Sequence, residues 1–390
     1  MTLSKVALEG GYVITPDGMV EGGIVLIHGT KIHAVTGLAK YDREKYTIID
    51  CRGMVVSPGL IDPHTHLGLY AEGSGEAGED GNEMTDPVTP HLRAIDGVDH
   101  ADRAFAEARE AGVTAVMVTP GSANVFAGQA LVMKTAGGFT DDMILDPYVG
   151  QKMAFGENPK RVYGGQKKTP GSRMGIAGVI RETLVAAQNY RAKMRKKVKP
   201  DRDLKLEALV PLLDGKTAAR AHAHRADDIL TAIRIAEEFS LKLVIEHGTE
   251  AYKVASVLAA KKIPVNVGPT STGRSKVELK DLERDNAVRL MAAGVRVSLI
   301  TDHPVMPIAD LRQEGIKLVR DHGVPLDTVL HTLTTNPAMT LGLDHRIGAI
   351  RKGMDADLAL FNGFPTDPSA VCMMTFIDGK PVYVREGKVR

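Results

Sequence analysis

The feature that most limits how this chain can fold is a rhythm. From residue 54 to about 349, short apolar runs alternate with longer stretches whose apolar positions recur at helical spacing. "GVTAVMVTP" follows the helical "ADRAFAEAREA", "AARAHAH" leads into "ADDILTAIRIAEEF", and "LKLVIEHG" into "AYKVASVLAAKK". "IPVNVGP" precedes "DNAVRLMAAG", and "VRVSLITDH" leads to three further helical stretches. Strands separated by helices are expected to pair in parallel, because the crossover returns each strand to the same end of the sheet. Counting the first strand from Met54, with "ALVMKT" and "YVGQKMAFG" as members, gives about eight strands, the pattern of an α/β fold with a parallel (β/α)8 barrel.

The ends have another character. Residues 2 to about 50 read as short strands punctuated by glycine-rich turns, and "DADLALFN" and "MMTFIDGKPVYVREGKVR" match them at the far end. Such strands need a facing sheet, and each set is the natural partner of the other. The expected organisation is a small composite β-sandwich from residues 1–53 and 350–390, flanking a barrel of residues 54–349.

In that barrel, functional groups gather where the strands end at their C-termini. The first strand, broken by Pro58-Gly59, ends in His64 and His66; side chains two apart on an extended segment share a face and can hold one divalent cation. "RAHAHR" gives His222 and His224 to the fifth strand, "VIEHG" gives His247 to the sixth, and "LITDH" gives Asp302 to the eighth. One histidine at a strand end is ordinary. A whole set at successive strand ends predicts a metal centre.

These motifs, "PGLIDPHTH", "AHAH", "EHG" and "ITDH", with the tail "RIGAIRKGMDADLALF", resemble the amidohydrolase superfamily of metal-dependent hydrolases over essentially the whole chain. "KMAFGENPKRVYG", "TPGSRMG" and "HAHRADDI" are similar to its imidazolonepropionase-like and prolidase-like members. The resemblance implies that His64, His66, His222 and His247 bind metal while His224 faces the substrate. It also implies that Asp302 both binds metal and takes the proton from the attacking water. A bridging ligand from the fourth strand is implied too. Lys152, as a carboxylated lysine, is favoured because a bare lysine inside an apolar strand is costly; Glu157 at the strand's mouth is the alternative. Imidazole and carboxylate donors suit one or two Zn2+ ions, with Mn2+ or Fe2+ open. Such a cation lowers the pKa of a bound water to about 7 and polarises a carbonyl. The expected reaction is hydrolysis of a C–N bond in a cyclic or linear amide of a small molecule or short peptide-like substrate. A mononuclear deaminase and a non-catalytic barrel kept for binding or assembly are the alternatives. Arg173 is a candidate clamp for a substrate carboxylate, with a helix-start ion pair as its rival reading.

The remaining features set limits. At 390 residues, with 43% hydrophobic and 25% charged residues, a large core is within reach. A formal net charge of +1 gives no reason to expect nucleic acid or an anionic membrane as partner, and the basic run "YRAKMRKKVKPDR" lacks interleaved aromatics beyond Tyr190. Cys51 and Cys372 form no C-x-x-C pair, and no apolar run has the length of a membrane span. A soluble, cytoplasmic enzyme with a small-molecule substrate is expected, as a homo-oligomer. Gly73, Gly75 and Gly78 match a dinucleotide fingerprint, but their acidic neighbours and the missing strand–helix context make it a decoy. The loop that carries them, residues 67–91, leaves the first strand over the proposed site and reads as a lid.

Overall fold

The computed structural model describes residues 5–37 and 41–386. The central rhythm becomes one nearly closed sheet of eight strands: β1 (Leu60–Thr65), β2 (Val113–Val118), β3 (Phe126–Lys134), β4 (Ile144–Ala154), β5 (Ala218–Ala223), β6 (Leu243–His247), β7 (Val265–Val267) and β8 (Val297–Leu299). Neighbours in sequence are neighbours in the sheet. Continuous apolar runs suit these strands because helices cover the outer face while side chains fill the interior. Helices Arg173–Met194 and Ala226–Phe239 lay Ile180, Leu184, Ile229 and Ile233 into the main core with strand residues such as Val116 and Ile245.

One strand departs from the expected parallel order. β3 runs antiparallel to both β2 and β4, whereas every other pairing in the barrel is parallel. The cause is chain length. Residues 119–125 join β2 to β3 without a helix, and a parallel crossover takes about a dozen residues or more. The seam between β8 and β1 is held by side chains rather than a ladder. Asp62 Oδ2 accepts from the backbone N–H and the hydroxyl of Thr301 at 3.0 and 2.6 Å.

The two ends of the sequence meet in a second sheet. Leu358–Phe361 lies antiparallel to Val55–Pro58, which runs parallel to Lys5–Thr15. Its halves close over one apolar core that includes Leu8, Val25, Ile27, Leu360 and Phe376. Residues 54–58, read from sequence as the start of the first barrel strand, therefore lie in this sheet, and the barrel begins at Leu60. Pro58 and Gly59 make the changeover. A Cβ on Gly59 would stand 2.1 Å from the Thr114 hydroxyl, so no other residue fits the crossing.

The sheets are joined by charge. Lys134, at the end of β3, is within 2.9 Å of Asp355 and Asp357 and 2.7 Å of Asp378. Cys51 and Cys372 are buried free thiols. Among the described residues no helix is long and apolar enough to cross a membrane.

Candidate metal centre

The strand ends deliver their side chains to one place. His64, His66 and Asp302 form one group of converging ligand atoms, and His222, His224 and His247 another, the atoms in each lying within 4.8 Å of one another. The groups are contiguous: the His64 and His247 rings are 4.9 Å apart and those of His222 and His247 4.5 Å. Asp302 Oδ1 is 3.2 Å from His66 Nε2 and 3.4 Å from His64 Nε2. Lys152 reaches the same spot from β4, its Nζ 3.2 Å from His64 Nε2.

The far side of each ring explains its orientation. His66 Nδ1–H donates to the Thr119 carbonyl at 2.6 Å, and His247 Nδ1–H to the Gly268 carbonyl at 2.9 Å. A carbonyl only accepts, so these contacts fix the tautomer and leave the Nε2 lone pair facing the centre. His64 Nδ1 donates to Glu246 Oε2 at 2.8 Å, and Glu246 is held by Asn266 and Arg220. His224 Nδ1 is 2.7 Å from the Thr249 hydroxyl. Two of the convergent residues carry left-handed backbone, His247 at φ 71° and Asp302 at φ 52°. For residues other than glycine this costs about 1 kcal/mol or more, a strain typical of functional positions.

Protonation preferences match a donor set. Burial, helped by the neighbouring imidazoles, holds His222 well below the usual histidine range, and burial lowers His66 and His247 as well. These rings are neutral, as ligands must be. Burial alone would raise Asp302, but His247, His64 and His66 outweigh it and hold the carboxyl well below its usual range. His64 is opposed by burial and by Lys152, yet the Glu246 and Asp302 carboxylates prevail and raise it. That field favours positive charge between His64 and Asp302. Burial brings Lys152 down to about 8. Asp302 Oδ1 and His222 Nδ1 are buried without a hydrogen-bond partner, as atoms reserved for a cation would be. The residues fit a divalent metal.

The structure of an amidohydrolase from Thermotoga maritima MSB8 superposes with a TM-score of 0.93 at 45% sequence identity, covering 97% of this chain and 100% of that one. The present chain belongs to the amidohydrolase family. The Amidohydrolase family model itself matches residues 213–382. Imidazolonepropionase of Acidiphilium cryptum is 28% identical over 88% of each chain. Amidohydrolase tasK of Hapsidospora irregularis is 27% identical over 93% of this chain, which spans only 39% of that protein's length.

Within this amidohydrolase, the remaining candidates take distinct places. Glu157 stands outside both ligand groups; its Oε2 accepts from Glu278 N at 3.2 Å, and its own N–H donates to the Glu278 carboxylate. Arg173 lies against Asp228, with its Nε 3.0 Å from both carboxylate oxygens, which is the ion pair at a helix start. His224 joins the ligand group with His222 and His247. His303 turns away and accepts from Ile308 N at 3.2 Å.

A cavity of about 450 Å³ opens over the centre. Residues 67–91 form part of its wall and are stitched down: Gly121 N donates to Gly81 O at 2.7 Å, and Asn82 Nδ2 donates to the Tyr70 hydroxyl at 2.5 Å. That contact uses the Tyr70 oxygen as acceptor, and Tyr70 lines the cavity. Tyr70, Asn82, Thr249 and Lys276 carry no motif and escape a reading by spacing. Glu246 lay within "EHG", where its place beside a ligand on a strand was the available signal.

Proposed function

We propose that this amidohydrolase is a metal-dependent hydrolase of C–N bonds. It would act on a cyclic or linear amide of a small molecule or short peptide-like substrate, with one or two zinc ions. The reading rests on one observation: five mostly neutral imidazoles, an ionised aspartate and a lysine converge beneath a single cavity. A divalent cation held by these residues supplies a water activated near neutral pH and a Lewis acid for the scissile carbonyl.

The chain's own groups do the rest. Asp302 Oδ1 faces His64 and His66, which leaves Oδ2 to accept a proton from the attacking water and return it to the departing nitrogen. The Tyr70 hydroxyl, its oxygen already accepting from Asn82, donates to the substrate carbonyl oxygen. Lys152, brought down to about 8 by burial, has a neutral fraction near pH 7 able to add carbon dioxide, the nitrogen giving up its proton. The carbamate so formed would offer two oxygens between the groups, in the bridging role.

The test is metal content of protein purified without chelator, beside hydrolysis of an amide panel. About two equivalents in the wild type, falling toward one in K152A and unchanged in E157A, is the expected result. No bound metal, or no amide cleaved by loaded protein, overturns the reading. One equivalent in all three proteins, with amine release from amino-heterocycles, would replace it with a mononuclear deaminase.

A further inference from the structure

The cavity over the ligand groups carries very little formal charge on its walls. Apart from the histidines, Asp302 and Lys276 are its only ionisable side chains other than Tyr70, and Asp302 is directed at His64 and His66. Lys276 is therefore the charged side chain of the wall that lies outside the ligand groups. Among the described residues no carboxylate lies within ion-pair distance of its ammonium, whereas Arg173, Arg225, Lys253 and Lys317 are each paired. The nearest acid in sequence, Glu278, is buried and bonded through its carboxylate to the Glu157 backbone.

The segment that carries Lys276 is built. At its start, Glu314 accepts from the N–H and the hydroxyl of Thr270 at 2.7 and 2.5 Å. Arg274 donates to the carbonyls of Lys280 and Leu282 at 3.0 and 2.8 Å, closing the segment on itself. The Glu157–Glu278 exchange ties its far end to the mouth of β4. A half-buried ammonium on so constrained a stretch loses little freedom when it binds an anion.

We infer that Lys276 is a specificity-determining residue that anchors a carboxylate on the substrate. The cavity then takes an acidic amide, an N-acyl amino acid or a short peptide ending in a free carboxylate. This rests on the hydrolase reading above. One ammonium, with Ser275 next to it on the cavity wall, matches a monoanion.

The test uses matched pairs on the metal-loaded enzyme: N-acyl amino acids and dipeptides, each against the same compound with its carboxylate converted to a primary amide. The wild type is expected to favour the acid by about tenfold or more in kcat/KM, mostly through KM, as one charge-assisted contact allows. K276M should bring the members of each pair together, K276R should keep the preference, and K276E should reverse it, all with unchanged metal content. Equal rates on both members in the wild type, or a preference that survives K276M, overturns the inference. Should no amide be cleaved, the hydrolase reading fails by itself, and calorimetric binding of N-acetyl-L-leucine decides the role of Lys276. Binding about tenfold weaker in K276M supports it; equal binding, or none in the wild type, refutes it.

Discussion

Each imidazole at the centre is aimed by what its outer nitrogen touches, and Glu246 is the most exposed to test. Its carboxylate is buried, and burial would favour the neutral acid, yet His64 and Arg220 keep it ionised and below its usual range. E246Q retains the shape but ends the charge that orients His64. Metal should be held roughly 10- to 100-fold less tightly, measured by competition with a coloured chelator. Unchanged retention would mean that the backbone alone aims the ring. At this scale the sequence was informative about one layer only. His64, His66, His222, His247 and Asp302 stand in local motifs whose spacing places them on one face. Their partners Thr119, Thr249 and the Gly268 carbonyl come from other strands, and nothing local marks them. Glu157 and Arg173 had plausible positions, but Glu278 and Asp228, distant in sequence, engage them.

The strand ends themselves set the geometry between such residues. Gly268 follows β7 at φ +139°, and a Cβ there would lie 2.5 Å from the Ile300 carbonyl oxygen at the end of β8. Its own carbonyl holds His247. G268A should cost about 1–3 kcal/mol in denaturant unfolding, from strain and the forced separation of β7 and β8. It should also loosen metal. A variant as stable as the wild type would show that the two strand ends yield freely. The eight-strand rhythm was legible because buried strands and amphipathic helices have different periods. The reversal of β3 was not, since its apolar run reads the same in either direction. Only the short connection over residues 119–125 carried the information. The changeover at Gly59 was hidden for a similar reason: strands in both sheets are apolar and buried.

For the molecule as a whole, Lys134 is the charge through which barrel and terminal sheet hold each other. Asp357 is buried, and despite Lys134 its carboxyl is pushed up to about 6. A folded pKa above the unfolded 3.8 means its contribution is most favourable below pH 4 and is lost as pH rises through 6. Replacing Lys134 with methionine raises that carboxyl further, while Asp355 keeps Lys31 and Arg346 as partners. The loss should reach about 3–5 kcal/mol at pH 8 and shrink toward pH 5, followed by thermal unfolding across that range. A cost independent of pH would assign the role of Lys134 to packing. Both sheets should melt together in the wild type, and separate transitions in K134M would mark this cluster as their coupling.

The pairing of Val55–Pro58 with Leu358–Phe361 bears on how the protein is made. On the ribosome, the strand beside Lys5–Thr15 emerges early, while its other neighbour follows only after the entire barrel has been synthesised. Until then Val55–Pro58 offers a bare apolar edge, the kind of surface that recruits foreign strands. Translation that stalls inside the barrel should therefore yield nascent chains that depend on chaperones, whereas release of Leu358–Phe361 closes the edge from within.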